Sequence, residues 1–151
     1  MSKEDSIFLK YNIVPSELAC MLKKAGFDWP CNSRFKNGTL EKDLPEQNYN
    51  LGNNDICSAP YLWYVQKWLR EEKEFVITID FEAIDDSDMV YTYTINQYIP
   101  DGFNRCKDVW DFWRKKYSLC GCGSSYSGGF DTYEEALYAG ILYATDLIIK
   151  N

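Results

Sequence analysis

Six cysteines, at positions 20, 31, 57, 106, 120 and 122, are the residues whose type and spacing first invite chemistry. Cys120-Gly121-Cys122, with Cys106 upstream, could hold a metal or cycle as a redox dithiol. Structural zinc needs four ligands, normally from paired C-x2-C spacings. Here one C-x-C stands with scattered partners such as Cys31 or Cys57. Cysteines incidental to a turn are therefore the expectation, and no metal or other cofactor is assigned. Asp80, Glu82, Asp85, Asp86 and Asp88 form an acidic cluster. It lacks the spacing and the glycine of an EF-hand loop and reads as a solvated strand edge. Gly121-Cys122-Gly123-Ser124-Ser125 fits neither phosphate-loop pattern, and no Lys follows it.

The chain contains no histidine. That removes Ser-His-Asp and Cys-His nucleophilic systems, histidine metal sites and histidine acid–base catalysis. An enzyme built on this sequence would have to use carboxylates, Cys, Lys or Tyr, and no catalytic residues are assigned. The aromatic excess, 17% of the 151 residues, is a different signal. Trp63, Phe112 and Tyr138 fall off the core faces of their helices. With Leu142 they are the candidate contact residues, because exposed aromatics are enriched at interfaces.

The elements that position these residues can be read in order. Val14-Pro15-Ser16-Glu17 opens a helix. Leu18, Met21, Leu22 and Ala25 repeat at helical spacing, and Cys20 is expected in that helix as a small core residue. Gly26 suits the left-handed position that ends it, with Phe27 folding back. Asn37-Gly38 signals a tight hairpin within an otherwise irregular stretch, 28–57. Ser58-Ala59-Pro60 reads as a capped helix start. Tyr61, Leu62, Val65, Trp68 and Leu69 then share one face, with Trp63 on the polar side.

After this helix the period changes from about 3.6 to 2. Phe75, Ile77, Ile79 and Phe81 share one face of a strand, and residues 90–99 form a second, giving an antiparallel hairpin. Asp108 caps a helix carrying Val109, Trp110, Trp113 and Tyr117, and a short third strand is expected within 122–130. Thr132-Tyr133-Glu134-Glu135 fits a capping box. The helix it opens has a core stripe of Leu137, Gly140, Ile141, Ala144 and Ile148. Gly140 implies close approach to the sheet. Tyr138, Leu142, Thr145 and Ile149 form a second, narrower stripe, covered by the N-terminal arm or by a second subunit.

The fold class expected is α+β: a helix–antiparallel strands–helix core in the order αββ(α)βα, with an irregular N-terminal arm. The arm is placed at 1–57 and the core domain at 58–151. A net charge of −7 and a pI near 4.6 disfavour a protein that grips phosphate backbones by charge. No apolar run follows Met1, and no window approaches the ~18–20 consecutive apolar residues of a membrane span. The expected place is the cytoplasm, with reduced cysteines.

Leu22-Lys23-Lys24-Ala25-Gly26-Phe27-Asp28-Trp29-Pro30-Cys31, Ser58-Ala59-Pro60, Trp68-Leu69-Arg70-Glu71 and Thr132-Tyr133-Glu134-Glu135-Ala136-Leu137 with Gly140 occur in this order. Together, over roughly residues 15–148, they resemble a group of short uncharacterised proteins of phages, prophages and gut-anaerobe genomes. The resemblance implies a phage or mobile-element protein and carries no activity with it. The function expected is a non-enzymatic protein-interaction or accessory role, with a protein partner or a homodimer. Two alternatives stand beside it: a nucleic-acid-binding module with the element order of a double-stranded-RNA-binding domain, and a small enzyme using carboxylates or cysteines.

Overall fold

The computed structural model describes residues 12–83, 89–97 and 129–150. They form an α+β fold with two small antiparallel sheets. The chain divides into two compact units, Met1–Trp68 with Thr145–Asn151, and Leu69–Ala144.

In the first unit, helix α1 spans Ser16–Lys24 with Pro15 at its N-cap and Glu17 in its first turn. Leu18, Ala19 and Leu22 are fully buried. Its end is a Schellman motif: Gly26 takes φ +88°, Gly26 N donates to Lys23 O, and Phe27 N donates to Leu22 O at 2.9 Å. Phe27 thereby folds back into the core and meets Trp68 edge-on at 5.2 Å between ring centres. The sequence expectation for Cys20 is corrected here. It lies on the exposed side of α1, because the Leu18–Leu22 stripe turns it away from the core.

Strands β1 (Arg34–Lys36) and β2 (Thr39–Glu41) make the expected hairpin around Asn37-Gly38, both residues at positive φ. Strand β3, Ile56–Ser58, pairs with the other edge of β1. This changes the reading of Ser58, which ends a strand instead of capping a helix. Its backbone N–H donates to Asn50 Oδ1 at 2.8 Å, and its Cα partner is Arg34. A strand-side partner has won over the local capping signal. Asn50 Nδ2 also donates to Phe27 O at 2.7 Å, so a single amide ties the end of α1 to β3. From α1, Lys23 Nζ donates to the carbonyls of Gly52, Asn53 and Ile56.

Helix α2 therefore begins later than the sequence suggests, at Leu62–Glu72. Leu62, Val65, Trp68 and Leu69 are each buried to 1% exposure or less. The backbone before the helix is held by residues 12–14. Val14 N donates to Pro60 O, Leu62 N donates to Asn12 O, and Ile13 bridges Tyr61.

In the second unit, β4 (Phe75–Ala83) and β5 (Met89–Gln97) pair in unbroken antiparallel register, with Ile77 opposite Ile95 and Ile79 opposite Tyr93. Burial fades along β4 from Phe75 and Ile77 to Phe81, which is exposed and packs on Tyr91. Phe130 and Tyr91 exchange both backbone hydrogen bonds in an isolated bridge. Of the third strand expected within 122–130, residues 122–128 lie outside the described residues, as does the helix expected from Asp108.

Helix α3 spans Tyr133–Lys150. Thr132 Oγ1 accepts from Glu135 N at 3.1 Å, as the capping box requires. Ala136, Leu137, Ile141 and Ala144 are buried. Gly140 sits where a Cβ would lie 3.0 Å from Ile77 Cγ2 and 3.2 Å from the Tyr93 ring, the close approach its sequence position implied.

Candidate binding cleft

Beside the start of α2 the first unit opens a cleft of about 270 Å³. Tyr61, Trp63 and Tyr64 supply its aromatic rings, Pro60 an apolar edge, and Cys31 and Glu46 reach it from the irregular stretch before β3. The backbone explains the convergence. Cys31 and Gln47 exchange both backbone hydrogen bonds, which brings Glu46 alongside Cys31. Ala59 N donates to Ser33 O, which fixes the approach to Pro60 on the same side.

The rings are mutually packed. Trp63 and Tyr64 lie 5.5 Å apart between ring centres, and Tyr61 stacks nearly parallel to Trp63 at 6.1 Å. Trp29 supports Tyr64 from behind at 5.0 Å, and Lys67 Nζ lies 5.8 Å from the centre of the Trp29 ring. Trp63 is nonetheless 58% exposed. It offers most of its surface outward while its orientation is set by neighbours, the condition under which a ring binds with little loss of freedom.

Two titratable groups of the cleft, Cys31 and Tyr64, are held in their neutral forms by burial. Burial pushes the Cys31 thiol up to about 12. The Ser58 hydroxyl beside it pulls the other way, and the Glu46 carboxylate adds to the rise. Ser58 Oγ is buried yet makes no hydrogen bond of good geometry, so its hold on the sulfur is weak. Burial likewise raises the Tyr64 phenol, reinforced by Cys31 and Glu46. A thiol protonated to such alkaline values is a poor nucleophile, because the thiolate is the reactive form. The cleft is a mixed seat, its aromatic rings interleaved with polar groups that include the Glu46 carboxylate.

Of the contact residues read from the sequence, Trp63 lies in this cleft. Tyr138 and Leu142 lie one turn apart on α3, both half-buried, and Phe112 lies outside the described residues. Tyr138 and Leu142 belong to the second unit and the cleft to the first. Within their stripe Thr145 is fully buried and Ile149 is 38% exposed. Tyr61, assigned to the core face from its spacing, stands at the cleft's edge because the helix starts after it. Tyr64, Cys31 and Glu46 were not anticipated. The available signal was density, since three aromatics in the four positions 61–64 cannot share one stripe of a 3.6-residue period.

Asp80 and Glu82 are exposed on β4, while Asp85, Asp86 and Asp88 lie outside the described residues. So do Cys106, Cys120 and Cys122. Among the described residues no group of three or more Cys, Asp or Glu could hold a metal ion. No helix among them is long and apolar enough to cross a membrane. Comparison of the chain with protein-family models, with curated proteins and with solved structures returned no match.

Proposed function

We propose that this chain is a non-enzymatic protein-interaction protein, an accessory factor of phage or mobile-element type, and that it seats a partner's side chain in the Tyr61–Trp63–Tyr64 cleft. One observation carries the reading: Trp63 is 58% exposed beside two further rings on a fixed backbone. Exposed tryptophans braced in this way are where binding energy concentrates at protein interfaces. The neutral thiol of Cys31 supports binding over chemistry. The mobile-element origin rests on the sequence resemblance.

The test is capture by tagged full-length chain from lysate of the native host, with and without nuclease, comparing wild type with Trp63→Ala. Loss of a hot-spot ring costs about 2 kcal/mol or more, roughly 30-fold in affinity. A nuclease-resistant protein bound by wild type and lost with Trp63→Ala is the expected result. Equal capture by both proteins removes the cleft from the interaction, and capture that vanishes with nuclease replaces the protein partner with nucleic acid.

A further inference from the structure

Cys20 Sγ on α1 and Cys57 Sγ on β3 stand 3.1 Å apart, across 37 residues of chain. A disulfide measures about 2.05 Å between its sulfurs, so closure needs the two sulfurs to approach by roughly 1 Å. The two thiols differ in access. Cys20 is exposed and Cys57 is 2% exposed. The neighbourhood is already tied together, since Lys23, one turn after Cys20, binds the carbonyl of Ile56, the residue before Cys57.

We propose that Cys20 and Cys57 form a reversible thiol–disulfide site, oxidised by low-molecular-weight disulfides of the glutathione class, which clamps α1 covalently to β3. The exposed Cys20 thiolate attacks one sulfur of the small disulfide and expels the first thiolate, leaving a mixed disulfide on Cys20. Cys57 then gives up its proton, to solvent or to the departed thiolate, and attacks Cys20 Sγ. The second small thiolate leaves. Two protein thiols are oxidised, one small disulfide is reduced to two thiols, and a reducing thiol reverses both steps. Burial and the hydrogen bond and charge of Cys20 raise the Cys57 thiol to about 11, the nearby Lys23 ammonium opposes this, and Asp55 adds a smaller rise. With Cys20 capped in the mixed disulfide, burial remains as the main cause of the rise, so the second step quickens as pH rises.

Trypsin separates the two cysteines cleanly. Peptide 11–23 contains Cys20 as its one cysteine, and peptide 43–67 contains Cys57 as its one cysteine. Reduced full-length protein is incubated with oxidised glutathione at pH 8, quenched with N-ethylmaleimide and digested without reductant. The expected result is peptide 11–23 linked to 43–67, with a melting temperature raised by roughly 5–10 °C that dithiothreitol reverses. Cys20→Ser changes an exposed residue, so it keeps the fold, and it must abolish both the link and the thermal shift. Glutathione retained on Cys20, pairing of Cys20 with another cysteine, or full recovery of both thiols as maleimide adducts would each overturn the proposal.

Discussion

At the scale of single residues, burial decides which side chains can react. Cys31 holds its proton far more tightly in the folded chain than in the unfolded one, where its thiol titrates near 9. Between about pH 9 and about 12 the unfolded chain loses that proton and the folded chain keeps it. Stability is therefore full below pH 9 and falls as pH rises through this window. Urea unfolding of wild type and Cys31→Ala from pH 8 to 11 should show a steeper alkaline loss in wild type. Parallel curves would mean that Cys31 is not the linked group. None of this was legible in the sequence, because a cysteine's environment is set by what folds over it. The same holds for Cys20. Its place in the helix was readable, but its exposure and its partner 37 residues away depend on where β3 packs. Asn50 is a further case, one of many Asn in an irregular stretch until its amide is seen joining Phe27 O to Ser58 N.

At the scale of elements, local signals decide where the chain turns, and tertiary partners override them where the two compete. The Gly26–Phe27 helix stop, the Asn37-Gly38 hairpin, the period-2 run of β4 and the Thr132 cap were all readable, since each depends on residues within a few positions of one another. Strand β3 was not. Its three residues, Ile56–Ser58, carry no alternation, and Ser58-Ala59-Pro60 imitates a helix start. Gly140 was readable for a different reason, as a residue unfavourable to its own helix. Replacing it tests two opposing effects. Alanine is favoured by about 1 kcal/mol in a helix interior, but its Cβ would press on Ile77 at 3.0 Å and on the Tyr93 ring. Overpacking a fitted contact costs about 1–3 kcal/mol. Gly140→Ala should therefore be net destabilising, by roughly 1 kcal/mol, in chemical denaturation. A gain in stability would show that the helix shifts freely away from the hairpin.

At the scale of the whole molecule, the α+β class followed from the change of period after α2, and the division of strands between two sheets did not. Pairing between distant segments has no local mark in sequence, and both sheets of the described residues depend on it differently. β4 and β5 are consecutive and close on each other, whereas β1 recruits β3 across the irregular stretch. The first unit is closed further by residues 12–14, whose backbone hydrogen bonds end on Pro60 and Leu62. That closure fixes an order of events during synthesis. Nine residues of α1 are too few to hold a helix alone, as isolated helices below about 12–15 residues are marginal in water. Its partners Cys57 and the carbonyl of Ile56 lie more than thirty positions downstream. A fragment ending at residue 55 should give a coil spectrum by circular dichroism, and substantial helix in it would contradict this dependence. While the chain emerges from a ribosome, α1 must then wait, unfolded and open to chaperones and proteases, until the start of α2 has cleared the exit.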